Sequence, residues 1–419
     1  VIGDHAVPHL KYDAPLTSDI VGLAGPNSRW IKSANKVDQT GTLAAEAYAA
    51  SFGPKPGPVS LLLPADSAWL EGGKLGEQLP VPSLRQVADS RIQAAAEAIA
   101  KASNPVIIMN GTALTEEGLQ SAARLKAAGV RVMTDTFYGK MRRGAGVFAP
   151  ERMQYFAEGA MDDLAGSDLM ILPGTSAPVA FFSYPGKPSL LVPEGCELLD
   201  LGNASTDSAE TLSALAAAMN AAEAAPVEAL VQPDAPTGDL TAQSVGQSLA
   251  RHMPENALVS DDGVSNGLLS YLPTQKAQPH DWMMLTGGAI GQGMPLALGA
   301  AIAAPDRKVI CLSGDGAGMY TNQALWSMAR EGADVTTIVF VNHSYRILNI
   351  ELYRTGAGNP GPTAKNMLSI GGPNIDWVQL SSSMGVPAVE ATTAEAFDKA
   401  LADAIAAPGP RLIAAVVPG

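Results

Sequence analysis

Short apolar runs, several closed by Gly or Pro, alternate with stretches of helical spacing along the chain. The first clear one is Val-Ser-Leu-Leu-Leu at 59–63, stopped by Pro64. Further on, a helix over 90–102 precedes a strand over 105–110, and a helix over 116–128 precedes a strand over 130–134. Strands are also expected over 168–173 and 188–193. From about 238 the alternation resumes: helix 242–252, strand 257–260, strand 282–285, a Gly-rich turn, helix 295–304, strand 308–312, helix 321–330, strand 335–341 and a last strand over 411–417. Near-continuous apolar strands alternating with helices predict parallel sheets covered on both faces. The fold class is therefore α/β, with three doubly wound, Rossmann-like parallel-sheet units in series. Their expected bounds are 1–82, 83–230 and 231–419, parted by a turn-rich stretch over 71–82 and by an Ala-rich helix leading to Pro226, Pro233 and Pro236. No sequence repeat of 20–50 residues is visible.

Composition narrows the partners. The 27 Lys and Arg against 41 Asp and Glu give a net charge of −14. Nucleic-acid binding needs a basic footprint, and the densest cationic group, Lys140, Arg142 and Arg143, reads as a solvated edge. No apolar run reaches the roughly 18–20 residues of a membrane span. Cys196 and Cys311, far apart and in apolar settings, do not suggest a disulfide framework, and the chain suits a reducing cytoplasm. The opening Val-Ile-Gly-Asp reads as the end of a strand, so a longer protein is expected.

The chemistry concentrates at strand ends. Gly314-Asp315-Gly316 follows one apolar strand, and Asn342, 27 residues after the aspartate, follows the next. In an open α/β sheet such ends lie side by side at the ligand-binding edge. A carboxylate and an amide oxygen there are hard ligands for Mg²⁺ or Ca²⁺, and glycines offer N–H groups to a phosphate. Together they point to a metal-bound diphosphate. The Gly-rich turn at Gly288, Gly291 and Gly293 runs Gly-x-x-Gly-x-Gly, the wrong order for a dinucleotide fingerprint, and no P-loop is present.

Gly-Asp-Gly, a spacing of about 25–30 residues and Asn resemble the signature of thiamine-diphosphate enzymes. The segment 286–295, Thr-Gly-Gly-Ala-Ile-Gly-Gln-Gly-Met-Pro, resembles their turn under the thiazolium, and 260–267, Ser-Asp-Asp-Gly-Val-Ser-Asn-Gly, their second diphosphate turn. The stretch from Gly3-Asp-His to Asp19 is similar to the later half of the pyrimidine domain of acetolactate-synthase-like proteins. The resemblance implies Asp315, Asn342 and the Ser344 carbonyl as metal ligands, and Gly263, Ser265, Asn266, Gly288, Ile290, Gly314, Gly316, Ala317 and Tyr345 around the cofactor. Gly288 would offer its carbonyl to the 4′-amino group, and Ile290 would be the wedge that bends the cofactor. It implies thiamine diphosphate and Mg²⁺ as cofactors, a 2-oxo acid as substrate, and a homodimer or tetramer whose cofactor lies between subunits. The central segment has some Rossmann-like character but no clear flavin pattern, which leaves FAD a doubtful cofactor.

In this family a glutamate from the first half of the pyrimidine domain hydrogen-bonds the aminopyrimidine and promotes ionisation of the cofactor. That segment is expected upstream of Val1, and neither Glu46 nor Glu351 stands in the family's pattern for it. The catalytic candidate within the chain is then His5, in the ligand-facing loop of the pyrimidine domain; hydrogen bonding to loop backbone is its bland alternative. Asp261 and Asp262 are expected to serve as turn and cap residues. Ile347, Leu348 and Ile350 could line a substrate pocket or be core. The functional readings are acetolactate-synthase-like decarboxylation and carboligation, a decarboxylase releasing an aldehyde, or a non-catalytic cofactor-binding fragment.

Overall fold

The computed structural model describes residues 1–53 and 56–418 of the 419-residue chain. Backbone contacts divide it into two units, one of Val1–Ala88 with Gly202–Asp207, the other of Asp89–Leu201 with Ser208–Gly419.

The first unit holds a three-stranded parallel sheet of β1 (Ile2–Asp4), β2 (Ile31–Ser33) and β3 (Ser60–Pro64), in the order β1-β3-β2. Its core is slight. Leu61 and Leu62 of the central strand are buried, with Ala34 and Ala47.

The second unit carries two sheets. One is five-stranded and parallel, built from β4 (Pro105–Met109), β5 (Arg131–Thr134), β7 (Glu151–Arg152), β8 (Leu169–Leu172) and β9 (Glu197–Asp200), in the order β7-β5-β4-β8-β9. β4 and β8 are buried at every position, which is why their sequences run Pro-Val-Ile-Ile-Met and Leu-Met-Ile-Leu without alternation.

The strand between β5 and β7, β6 (Lys140–Arg143), leaves that sheet for the other. There it joins β10 (Leu258–Asp262), β11 (His280–Met283), β12 (Val309–Gly314), β13 (Val335–Val341), β14 (Ala388–Ala391) and β15 (Arg411–Val416). The order is β14-β15-β13-β12-β10-β11-β6, parallel throughout except for β6, which runs antiparallel to β11. β13, Val-Thr-Thr-Ile-Val-Phe-Val, is buried along its whole length, as its β-branched run demands. The helices Gly293–Ala303 and Ala324–Glu331 cover the sheet, packing Met294, Ala297, Leu325 and Met328 with Val309, Cys311 and Trp377 into one core. Among the described residues no helix is long and apolar enough to cross a membrane.

Three expectations fail for local reasons. No regular strand forms over 188–193, where Val179 and Leu190 make an isolated bridge; Pro188 and Pro193 lack ladder donors, and the edge strand is β9 instead. The helix expected over 321–330 starts only at Ala324, because Thr321 ends a separate, unexpected helix, Asp315–Thr321. Arg143 is not a solvated cation: it is only 3% exposed, and its guanidinium carbon lies 3.4 Å from the Tyr271 ring centroid.

Candidate functional site

β12 and β13 are adjacent parallel strands with Gly314 opposite Phe340, so Asp315 and Asn342 leave the sheet at the same edge. Asp315 opens a helix and is buried. Its Oδ2 accepts from the backbone N–H of Asn342 at 3.0 Å and of His343 at 2.7 Å, and its Oδ1 from Gly316 N–H at 2.9 Å. Burial raises its pKa, and the three N–H donors pull the other way. The side-chain oxygen of Asn342 accepts from Ser344 N–H at 3.0 Å, which folds the loop back on itself; His343 takes a positive φ of 53° to do so. One carboxylate, one amide and a folded loop thus converge on one strand edge.

This arrangement bears on a metal. Among the described residues no group of three or more His, Cys, Asp or Glu side chains could hold an ion. Any cation here would rest on Asp315 with amide and backbone oxygens, a donor set suited to Mg²⁺ rather than to a thiophilic metal. The glycines fit a close-lying group as well. A Cβ on Gly316 would stand 2.8 Å from the Tyr345 ring, so this turn has no space for a side chain. Ala317 is buried behind it, and Tyr345 is partly exposed over it.

The neighbouring turns are held by the two aspartates at the end of β10. Asp261 accepts from Gly263 N–H at 2.9 Å and from the Trp282 indole at 3.1 Å. Asp262 accepts from Gly291 N–H at 2.8 Å and Gly293 N–H at 3.2 Å, tying the Gly-rich turn to the strand beside it. Both are buried, so they serve as internal ties rather than helix caps. Burial raises the pKa of Asp261 and pushes that of Asp262 up to about 6, with Asp261 adding repulsion. The Gly263 turn continues through a short 3₁₀ segment, Val264–Asn266, in which Val264 has a positive φ and Asn266 is buried; Ser265 is half-buried. In the Gly-rich turn Gly287, Gly288 and Gly291 have positive φ values of 64°, 67° and 97°, conformations that disfavour a side chain. The Gly288 carbonyl accepts from Ile290 N–H at 3.0 Å, and the Ile290 side chain stands out from the turn, 43% exposed.

Sequence relationships agree with this geometry. Residues 263–415 match the family described as "Thiamine pyrophosphate enzyme, C-terminal TPP binding domain". The chain is 44% identical over 422 residues to "Putative acetolactate synthase large subunit IlvX" of Mycobacterium tuberculosis, across 100% of this chain and 81% of that protein. The chain belongs to the thiamine pyrophosphate enzyme family. Within the family it is 30% identical over 266 residues to "Benzoylformate decarboxylase" of Pseudomonas aeruginosa, covering 60% of this chain and 48% of that one. Among solved structures, the thiamine diphosphate-dependent 4-hydroxybenzoylformate decarboxylase of Rhodococcus jostii superposes with a TM-score of 0.82 at 21% identity, over 99% of this chain and 81% of that one. The benzoylformate decarboxylase of Polynucleobacter necessarius gives 0.76 at 22%, over 99% and 81%. At such identities the likeness establishes the fold.

Two features of this thiamine pyrophosphate enzyme escape a reading of motifs. First, an aromatic cluster stands over the Gly-rich turn. A Cβ on Gly288 would meet the Phe181 ring at 2.5 Å. Around Phe181 lie Phe182, Tyr155 and Phe137, at centroid distances of 4.7, 5.2 and 5.7 Å. Phe181 and Phe182 are nevertheless 42% and 51% exposed. The signal was the Phe-Phe-Ser-Tyr run at 181–184, whose relevance depends on long-range packing. Second, Glu351 accepts from the Tyr184 hydroxyl at 3.0 Å, and Arg354 one turn later pairs with Glu158 and stacks on Phe156 at 4.0 Å. This fixes the helix Arg346–Arg354, which carries no fully buried residue. Ile347 and Ile350 are therefore half-buried and Leu348 is exposed, which rules out an interior core for that run.

His5 lies in the first unit, its Nε2 3.0 Å from the Pro15 carbonyl oxygen and its ring 5.3 Å from that of His9. Glu46, in the same unit, pairs with Lys32 at 2.7 Å on the surface.

Proposed function

We propose that the chain is a thiamine-diphosphate- and Mg²⁺-dependent enzyme of 2-oxo acids, acting by decarboxylation and carboligation in the manner of acetolactate synthases. The observation that carries the reading is the meeting of Asp315 and Asn342 at one strand edge, with Gly316 kept free of a side chain beneath Tyr345. The 44% identity across the chain to a protein named as an acetolactate synthase large subunit supports the carboligation branch.

In this reading Asp315, Asn342 and the Ser344 carbonyl hold the metal. The N–H groups and side chains around Gly263, Ser265, Asn266, Gly314, Gly316 and Ala317 take the diphosphate. Gly288 through its carbonyl, and Ile290 and Tyr345 through their side chains, would contact the cofactor's rings. The cofactor, when bound, supplies the electron sink that lets a 2-oxo acid lose CO₂. The chain's own contribution is orientation: Asp262 fixes the Gly-rich turn against β10, so the Gly288 carbonyl is set before any ligand arrives. The family's pattern also implies a homo-oligomer, with the activating glutamate supplied by the pyrimidine domain.

A second reading is favoured by one observation, the half-exposed Phe181–Phe182 edge beside the Gly288 turn. An aromatic wall there suits an aryl 2-oxo acid, decarboxylated to an aldehyde, better than a methyl group. The 30% identity to a benzoylformate decarboxylase supports it.

The test is direct. The protein, loaded with thiamine diphosphate and Mg²⁺, is given pyruvate or benzoylformate, and acetolactate and benzaldehyde are assayed. Acetolactate from pyruvate sustains the first reading; benzaldehyde alone shifts the function to the second. Asp315→Ala is expected to abolish Mg²⁺-dependent cofactor binding in a titration, and unchanged affinity would remove the metal assignment.

A further inference from the structure

A cavity of about 190 Å³, lined by none of the cofactor-turn residues, lies between the end of β6, the 149–152 segment and the helix Gly267–Tyr271 with its continuation. Its wall includes Arg143, Arg152, Tyr271, Leu268 and Gln275. The volume is far above the roughly 10–15 Å³ that a single water requires.

The arginine in its wall is inadequately partnered. Arg143 is 97% removed from solvent, its Nη2 donates to the Tyr271 carbonyl at 3.0 Å, and its Nε and Nη1 are buried with no partner. Among the described residues no carboxylate lies within ion-pair distance of Arg143 or Arg152. The buried carboxylate of Asp261 acts on both guanidinium groups through space but spends its hydrogen bonds on Gly263 and Trp282 and makes no ion pair with either. At the rim, Glu151 pairs with Arg131 and Lys126. Arg152 donates its Nε–H to the Thr136 carbonyl and lies 5.5 Å from the Tyr271 ring centroid, on which Arg143 also stacks. Two guanidinium groups thus bracket one tyrosine and face one cavity. The positive potential is felt nearby: His280, paired with Arg143 across the strands, is held neutral, its pKa pushed down to about 3 by burial and then by Arg143.

A buried cation with unpaired donors is expensive, and free guanidinium N–H groups have a planar geometry suited to oxyanions. We propose that this cavity binds a small oxyanion, a phosphate or carboxylate group, between Arg143 and Arg152. The site is separate from the diphosphate turns, though joined to one of them: the helix that forms its wall begins directly after Val264–Asn266.

The experiment is a calorimetric titration of the full chain with inorganic phosphate and, separately, with malonate, at constant ionic strength. Phosphate could also enter the cofactor turns, so wild type and Arg152→Gln are each titrated with and without saturating thiamine diphosphate and Mg²⁺ to fill those turns. The expected result is saturable binding that Arg152→Gln weakens at least about tenfold, the loss of one charge-assisted contact, and that persists when thiamine diphosphate and Mg²⁺ are present. Arg152 is half-buried and lies at the cavity mouth, so the folded state should survive its replacement. Preference for phosphate or for malonate identifies the source of the oxyanion. Absence of binding, or binding that thiamine diphosphate displaces and Arg152→Gln leaves intact, overturns the proposal and leaves water and Asp261 as the companions of Arg143.

Discussion

At the scale of single residues, Asp262 shows how a site can be built from a costly group. Its folded pKa of about 6 lies above the ordinary 3.8, so its protonated form is favoured by folding. Its contribution is fully favourable below about pH 4 and is lost as pH rises toward 6, by about 3 kcal/mol in total. Asp262→Asn keeps an oxygen for Gly291 and Gly293 and removes the charge. Chemical denaturation between pH 4 and 7 should therefore show the variant gaining on wild type as pH rises; parallel curves would contradict the shift. Gly288 makes the opposite case. Gly288→Ala combines a φ of 67° with a Cβ against Phe181, and should cost about 1–2 kcal/mol in melts while weakening cofactor binding. Asp315 and Asn342 were legible because their spacing implies two neighbouring strand ends. The tie from Asp262 to Gly291 was not, because a strand, a turn and 29 residues separate the partners. Phe181 was equally hidden, since nothing local says which turn a loop aromatic will cover.

At the scale of elements, punctuation and burial decide what a sequence discloses. Strands such as β4, β8 and β13 are wholly buried and apolar or β-branched throughout, and their positions follow from composition alone. β9, with mostly exposed residues, gives no such signal and was displaced in the reading by a more apolar, proline-bounded segment. The helix Arg346–Arg354 is a third kind, absent from the expected elements and held by polar tethers rather than by core. Tyr184→Phe removes its bond to Glu351. Amide exchange within 346–354 is expected to accelerate severalfold, while the global melting temperature moves little. An unchanged exchange rate would assign the helix's order to the Arg354–Glu158 pair instead.

At the scale of the molecule, burial is distributed unevenly. The sheet of the first unit has strands of three, three and five residues and few buried side chains, whereas the seven-stranded sheet is sealed by helices and a continuous apolar core. Small sheets with thin cores are marginal. Hydrogen exchange should therefore find β2 opening orders of magnitude more often than β12 and β13, and equal protection would show the first sheet to be stabilised by more than its own packing.

The exchange of β6 between sheets has a consequence for dissecting this protein. A chain cut near residue 230 would carry six strands of the large sheet and lose the seventh, baring the hydrogen-bonding edge of β11 from His280 to Met283. Exposed edges recruit strands from other molecules. A fragment beginning there should self-associate unless 140–143 is supplied in trans, so the covalent order of the segments and the unit of cooperative folding are not the same thing.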